Sequence, residues 1–535
     1  MIPVSNAWIE AHKQTLLPEM FVELTYGVTE PGLQEDSSAV SLGEAEYANT
    51  AQVVDGVRHN GEKYATLEHG MWGLDGTFKY LAETPKNSGF VSDVLSDVNG
   101  AFDSYPTIII NFGQRHIMSI PGITITWCDT HNEWATAFRV TAYDLGSMVA
   151  QTTVSGNTSP LSTVSITLEN YNQITIEILG WSHPYHRARC HDIYLGIQKT
   201  YSKRDLMSFE HTQTADLLSA SLPKNSISFG LRNDDDRWNP DNPTGTEQYL
   251  AERQEIKVRY GMNVGDEVEW IKGGTFWVSE WSTPSNGLEA SFKARDALEF
   301  MNENYVGPLS GNLYDMAETA LRQANLPTIN GSDRWVLWDG LRELRTDITN
   351  VTQEYTIAEL LQMIAHAGCC VFYQDRDGYI RIEPWKEVYS GYRIEPFISY
   401  QHPEYKISKP LRVVSVAYGD KQKLNLTAGA SGAVQTVDNK MLLTEADARR
   451  VGNRAVDILS NRKEITGDFR ADVRLDVLDN IIVISKYASN IIGLTEVKYS
   501  TTGGAFHGKY TGRVVSVALI ADDKRSGEFY VGEVW

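Results

Sequence analysis

TIAELLQMIAHAGCCVFYQDRDGYIRIEP, residues 356–384, changes its hydrophobic period midway, and that change organises the reading of the whole chain. Thr356 and Glu359 form a capping box ahead of Ile357, Leu360, Leu361 and Ile364, a spacing that predicts an amphipathic helix, and Gly368 supplies its stop. Cys369–Tyr373 and Tyr379–Ile382 then read as the two strands of a hairpin across QDRDG, where Asp375, Asp377 and Gly378 serve the turn. Upstream, Asn312 with Asp315 caps a second helical pattern, Leu313, Met316, Ala317, Ala320, Leu321 and Ala324, which Pro327 closes. Residues 301–400 are therefore expected to form an α/β linker module.

On both sides the period returns to two. NSISFGLRN (225–233), QEIKVRYG (254–261), GGTFWVSEW (273–281) and LEASFKARD (288–296) predict a small β-barrel over 201–300. LRVVSVAYG (411–419), a helix capped by Thr444 and Asp447, NIIVISKY (480–487) and GRVVSVALI (512–520) predict a second barrel over 401–535, with one inserted helix. Toward the N-terminus, FVELTYGV (21–28), TIIINF (107–112), GITITWC (122–128), AFRVTAYD (137–144), VSITLENY (164–171) and ITIEILGW (174–181) predict an all-β sandwich over 21–200. Residues 1–20 read as a short helix or arm, with Trp8, Ala11, Thr15 and Leu16 at roughly helical spacing and Pro18 ending it. The expected fold class is mainly β, multi-domain α+β: a jelly-roll-like sandwich, then two small barrels joined by a helix-hairpin module.

Composition bounds the function. With 535 residues the chain exceeds one hydrophobic core, and its 42% hydrophobic content is that of a folded globular protein. The 48 Lys and Arg against 69 Asp and Glu give a net charge of -21, which repels a phosphate backbone, and no basic stripe stands out to bind one. No apolar run approaches the roughly 18 residues a membrane helix needs, and Glu10, His12 and Lys13 interrupt the N-terminus where a signal peptide is unbroken. Cys128, Cys190, Cys369 and Cys370 lack the paired spacing of a zinc or redox site and fit assembly in a reducing cytoplasm.

Motifs that carry chemistry are imitated more than present. Gly503 and Gly508-Lys509 have phosphate-loop spacing, but Tyr510 stands where Ser or Thr is required and strands flank the segment. WSHPYHRARCHDIYLG (181–196) gathers His183, His186, Cys190 and His191, yet an extended strand sends them to opposite faces, leaving a terminal sandwich strand with exposed arginines. NDDDRWNPDNP (233–243) lacks the spaced acids of a calcium loop and reads as a turn stiffened by Pro240 and Pro243. No nucleophile elbow or metalloprotease motif occurs, so no enzyme, catalytic residue, metal or cofactor is expected; an unsigned pair of carboxylates is the main refuge left for catalysis.

Over 200–535 the chain resembles the hub proteins of phage tails, relatives of the N-terminal part of tail-associated lysins. The residues that carry this are SISFGLRNDDDRWNPDNPTG (226–245), GGTFWVSEW with LEASFKARDALEFM (288–301), the 356–384 helix-hairpin, and GDFRADVRLDVLDNIIV (467–483) with GKYTGRVVSV (508–517). The part before 200, with KYATLEHGMWGLDGTFKYL (63–81) and NSGFVSD (87–93), resembles galactose-binding or carbohydrate-binding jelly rolls fused to such hubs.

The resemblance implies a structural component of a bacteriophage tail tip or baseplate, a trimeric ring closing the tail tube. Its partners would be distal tail and tape-measure proteins, fibres or receptor-binding proteins, with host cell-surface glycans at the sandwich, no membrane, and DNA only as the passing genome; its place would be the virion tail, assembled in the host cytoplasm. Sugar binding needs exposed aromatic faces with polar acceptors, for which Trp72, Trp127, Trp134 and Tyr143 are the candidates. Two other readings are a polysaccharide-degrading tail enzyme and a peripheral docking or adhesion protein.

Overall fold

The computed structural model describes residues 1–519, except 15–17, 31–32, 35, 56–65, 67, 72, 74–75, 77–87, 118, 240, 243–249, 251, 266, 283–286, 328–332, 351–352, 387–388, 486–487 and 503–504. Strand Met20–Val28 decides how the chain is divided. It pairs antiparallel with Glu255–Val264, from Met20 opposite Met262 to Tyr26 opposite Ile256, and on its other edge with Ile197–Tyr201. Both ends of the expected 21–200 sandwich therefore belong to the β region that follows, and the sandwich is an insertion between them. The alternation of FVELTYGV suits either partner; its inward Val22, Leu24 and Tyr26 find their core in Val258, Tyr260 and Phe292.

The inserted sandwich packs a five-stranded sheet, in the order Ser37–Leu42, Thr107–His116, Tyr171–Trp181, Ala135–Asp144, Ser147–Ser155, against a three-stranded one. That second sheet is Asp192–Tyr194, Ile120–Thr126 and Leu161–Leu168, and a short pair, Phe90–Leu95 with Arg187–Cys190, closes one side. Ile108, Ile110, Ile174 and Ile176 from one layer meet Ile123, Ile125 and Val164 from the other in one core.

The two expected barrels are not separate. Leu206–Thr214 pairs with Ala488–Thr502, from Phe209 opposite Thr501 to Thr214 opposite Glu496, so the hydrogen bonding runs through a single 13-stranded sheet. One hydrophobic core crosses the joint, taking Phe209, Tyr260 and Phe276 from the first β unit and Tyr499, Phe506 and Tyr510 from the second. The N-terminal helix Asn6–His12, capped by Ser5, places Trp8 fully buried in that same core; Thr15 and Leu16 lie outside the described residues.

The helices follow their caps. Leu313–Gln323 starts at Asn312, and both Ile357–Ala367 and Glu445–Ser460 carry complete capping boxes, at Thr356/Glu359 and Thr444/Asp447. The second barrel, however, does not hold 411–460 as expected. Leu411–Tyr418, Gln422–Thr427 and Ala433–Asp438 form their own sheet, and their Val414, Val416 and Val437, with Val451 and Ala455 of helix Glu445–Ser460, pack onto Leu360, Leu361 and Ile364 of the linker. Gly452 makes the approach possible, since a β-carbon there would run into Leu426 and Val416. The linker is thus built from two separated stretches, and the second β unit keeps Tyr389–Ile394, Glu404–Ile407, Lys463–Arg470, Asn480–Ile484, Ala488–Thr502 and Ala505–Leu519.

Candidate functional site

The joint between the β units is organised around largely buried polar groups. His211, fully buried, accepts from the Tyr260 hydroxyl through Nδ1 at 2.6 Å and donates from Nε2 to Asn225 Oδ1 at 2.9 Å. Burial holds its pKa down at about 4, so the ring is a neutral imidazole. Arg376, from the QDRDG turn, enters from the linker. Its Nε is 2.8 Å from Asp476 Oδ1, Nη1 donates to Val473 O at 2.6 Å and Lys272 O at 3.2 Å, and Nη2 donates to Leu475 O at 2.8 Å. Burial alone would lower its pKa, but Asp476 raises it, and the side chain is a permanent cation. The turn read as a plain hairpin therefore locks the linker to both β units.

At one end of the joined sheet lies Glu404–Ile407, which pairs with Lys463–Arg470 on one side only among the described residues. All four of its residues are exposed, and beside it stand Phe397 and Tyr400, 74% and 54% exposed, with Tyr405 and Ile407 on the strand itself. An unpaired edge carrying apolar and aromatic side chains is a template for another strand.

In the sandwich, the tract 181–196 holds a buried charged cluster. His186 donates from Nδ1 to Glu133 Oε1 at 2.8 Å, and Trp181 Nε1 donates to Glu133 Oε2 at 2.8 Å. Arg189 Nη1 donates to Glu68 Oε2 at 2.9 Å, and the backbone N–H of Arg187 reaches the same oxygen at 2.8 Å. Burial would raise both carboxyls, but Arg189 holds Glu68, and His186 with Trp181 holds Glu133, below the usual carboxylate range. Burial likewise would lower His186, and Glu133 outweighs it and raises the imidazole. Arg189 is 5% exposed, which corrects the expectation of exposed arginines: the strand Arg187–Cys190 is covered, and its cation is paired inside.

In the same tract Tyr185 is 45% exposed and at φ 60°, a conformation that costs a bulky residue energy unless its surroundings impose it. Its ring lies 6.1 Å from that of His69, and His183 stacks on His186 at 5.3 Å. Tyr185 was not among the aromatics expected to meet a sugar, and only its place in a His- and Arg-rich tract could have signalled it.

The expected aromatics fare differently. Trp127 is fully buried, its ring 5.0 Å from Phe138 and its Nε1 donating to Ser162, so it has no face for a ligand. Trp134 is half-buried and donates from Nε1 to Asn157 O, and Tyr143 is half-buried on Ala135–Asp144. Trp72 lies outside the described residues, as does most of 63–81.

His191 is engaged by Asp129 at 2.8 Å, and no cluster able to hold a metal ion occurs among the described residues. In the acidic loop Asp234 pairs with Arg232 and Asp235 with Arg237, while Trp238 anchors the turn by stacking on Tyr26; Pro240 and Pro243 lie outside the described residues. Gly508 and Lys509 sit within strand Ala505–Leu519, paired with Tyr499 and Lys498, with no helix behind them; Gly503 lies outside the described residues.

No family model matches the chain, and no curated protein matches its sequence. Among solved structures it is similar to the tail protein from Neisseria meningitidis MC58, at 11% identity over 59% of this chain and 93% of that one, with a TM-score of 0.44. It is similar also to the 43 kDa tail protein of prophage MuSo2 from Shewanella oneidensis, at 11% identity over 59% and 95%, with a TM-score of 0.42. A family 32 carbohydrate-binding module of C. perfringens NanJ, solved in complex with galactose, matches at 14% identity over 33% and 99%, with a TM-score of 0.21.

Proposed function

We propose that the chain is a structural, non-enzymatic component of a bacteriophage tail tip or baseplate, a hub whose copies join edge to edge into a ring that closes the tail tube. The observation that carries this reading is the continuous sheet: two β units locked by one core and by Arg376 form a rigid double unit, and its outer strand Glu404–Ile407 is left open with apolar side chains beside it. Three such double units present six comparable elements to a six-fold tube, so the ring is a trimer, and closure removes the open edges. Distal tail, tape-measure and fibre or receptor-binding proteins are the partners of such a ring, and its place is the virion tail. Electron microscopy of assembled tips tests it: three subunits with both β units in one ring are expected, and a monomer on the tail's periphery would end the proposal.

The inserted sandwich serves attachment to host envelope glycans. Tyr185 supports this, as an exposed ring in an imposed conformation beside the ring of the exposed His69. Glu68 and Glu133 are an unsuitable acid–base pair, because both are buried and each already receives two or more hydrogen bonds, which supports adhesion over glycan cleavage. Binding of the purified chain to host wall polysaccharide, without release of reducing sugar, is the expected result.

A further inference from the structure

The charge of the chain is unevenly placed. Residues 401–520 hold 17 Lys and Arg against 12 Asp and Glu, whereas the whole chain holds 48 against 69. Part of this cationic excess gathers at the open end of the joined sheet. Residues 404–410 are exposed without a break, and Lys406, Lys409 and Arg412 follow one another along that stretch. Arg462 and Lys463 lie beside them: Lys463 is opposite Ile407, and Arg462 Nε donates to Ser408 O at 2.9 Å. The acids within this register are Glu404 and Glu464, and Glu464 is already engaged by Lys406 at 3.1 Å.

The other end of the same hydrogen-bonded path is Ile197–Tyr201, paired with Met20–Val28. There the Gln198 N–H is taken up by Thr124 Oγ1 at 3.0 Å, so side chains, and not a continued ladder, have to join this end to another copy. The loop of residues 233–242 is pinned to it by Trp238, which stacks on Tyr26 at 6.2 Å and lies 6.4 Å from Tyr201. Asp234 and Asp235 are taken by Arg232 and Arg237, whereas the exposed carboxylates of Asp236 and Asp241 have no ion-pair partner among the described residues.

Copies of net charge -21 repel one another unless opposite charges are brought together. On the ring reading, which this contact presupposes, head-to-tail closure brings unlike ends of the path together at every joint. We propose that this joint is recognised electrostatically: Lys406, Lys409, Arg412, Arg462 and Lys463 of one copy receive the Asp236 and Asp241 carboxylates of the next. Like ends then repel, which disfavours a two-fold dimer through either of them and leaves head-to-tail addition as the route to closure.

Sedimentation of the full chain at about 0.05 M and about 0.5 M NaCl tests it, since salt shortens the reach of exposed charges. Three variants accompany the parent: Lys406→Glu with Lys409→Glu, Asp236→Asn with Asp241→Lys, and all four substitutions in one chain. Asparagine at 236 tolerates the φ of 54° found there, and melting temperatures equal to the parent's verify the folds. The parent ring is expected to weaken about ten-fold or more at the higher salt, and each double variant to weaken it about as much at the lower salt. The four-fold variant, in which the charges have changed ends, should recover most of the loss. A parent ring indifferent to salt and to both double variants overturns the electrostatic joint while the ring itself stands. Loss in each double variant without recovery in the four-fold variant shows that the two clusters do not meet, and also overturns it. A parent that stays monomeric at both salt concentrations removes the ring reading, and this contact with it.

Discussion

Arg376 and Asp476 meet at 2.8 Å across the boundary between linker and second β unit, and the same guanidinium donates to carbonyls of both β units, Lys272 O in the first and Val473 O and Leu475 O in the second. Arg376→Ala leaves Asp476 and those carbonyls without their partner and should cost about 3–5 kcal/mol. Arg376→Lys should recover only part, since an ammonium has three donors on a single nitrogen and cannot reach the four acceptors over which the planar guanidinium spreads. Denaturant midpoints of the three proteins check both statements, and an alanine variant as stable as the parent would remove Arg376 from its role as the lock.

Asp296 gives a pH signature. Its folded pKa is raised from 3.8 to about 7 by burial, with Arg295 lowering and Glu299 raising it to lesser extents. Between those values the folded state holds the proton that the unfolded state has released, so this group makes stability fall as pH rises from about 4 to 7. Asp296→Asn lacks the group, and its stability relative to the parent should climb across that window and level off above it. A difference that stays flat from pH 4 to 8 contradicts the burial.

The strand pairing predicts which fragment folds. Residues 29–196 keep every sandwich strand and leave Met20–Val28 and Ile197–Tyr201 with the β unit they belong to. That fragment should melt cooperatively and stay monomeric. A fragment of 21–200 carries the buried face Val22, Leu24 and Tyr26 with nothing to cover it and should self-associate; gel filtration of the two distinguishes them.

Aromatic substitutions in the sandwich should separate into two kinds. Trp127→Ala empties a fully buried site and should destabilise the sandwich by about 3–5 kcal/mol. Tyr185→Ala keeps the β-carbon and with it the φ of 60°, but removes only an exposed ring, so it should leave the melting temperature nearly unchanged while weakening the proposed glycan binding about ten-fold. Equal glycan affinity in Tyr185→Ala would dissociate this residue from attachment.

The open edge predicts an assembly phenotype. Tyr405→Lys together with Ile407→Lys places charge on exposed positions, where substitutions shift stability by about 0.5 kcal/mol or less. The folded variant should not form the proposed ring in native mass spectrometry where the parent does, and rings that persist would direct attention to another surface.

What the sequence made legible was local. The caps at Asn312, Thr356 and Thr444 predict three helices because a cap is a chemical relationship within four residues. The mainly β class and the sandwich's inner strands follow equally from alternation. Pairings between distant segments were not legible: nothing in FVELTYGV specifies Glu255–Val264 over a nearer strand, and nothing in LRVVSVAYG specifies the linker core. Charged residues misled for a related reason. Arg189 and Arg376 look solvent-facing by composition, and their burial depends on Glu68 and Asp476, each about a hundred or more positions away.

The place where the sandwich joins the rest of the chain has a mechanical consequence. Its two connections leave from Val28 and Ile197, which face each other at one end of an antiparallel pair. A tug transmitted from a surface held by the sandwich would draw Met20–Val28 along its own length against Glu255–Val264. Ladder bonds lie across that direction, so they would bear the load in shear, all together, instead of parting one after another from an end. Anchoring an inserted module on neighbouring strands in this way shares the stress across the strand's whole ladder.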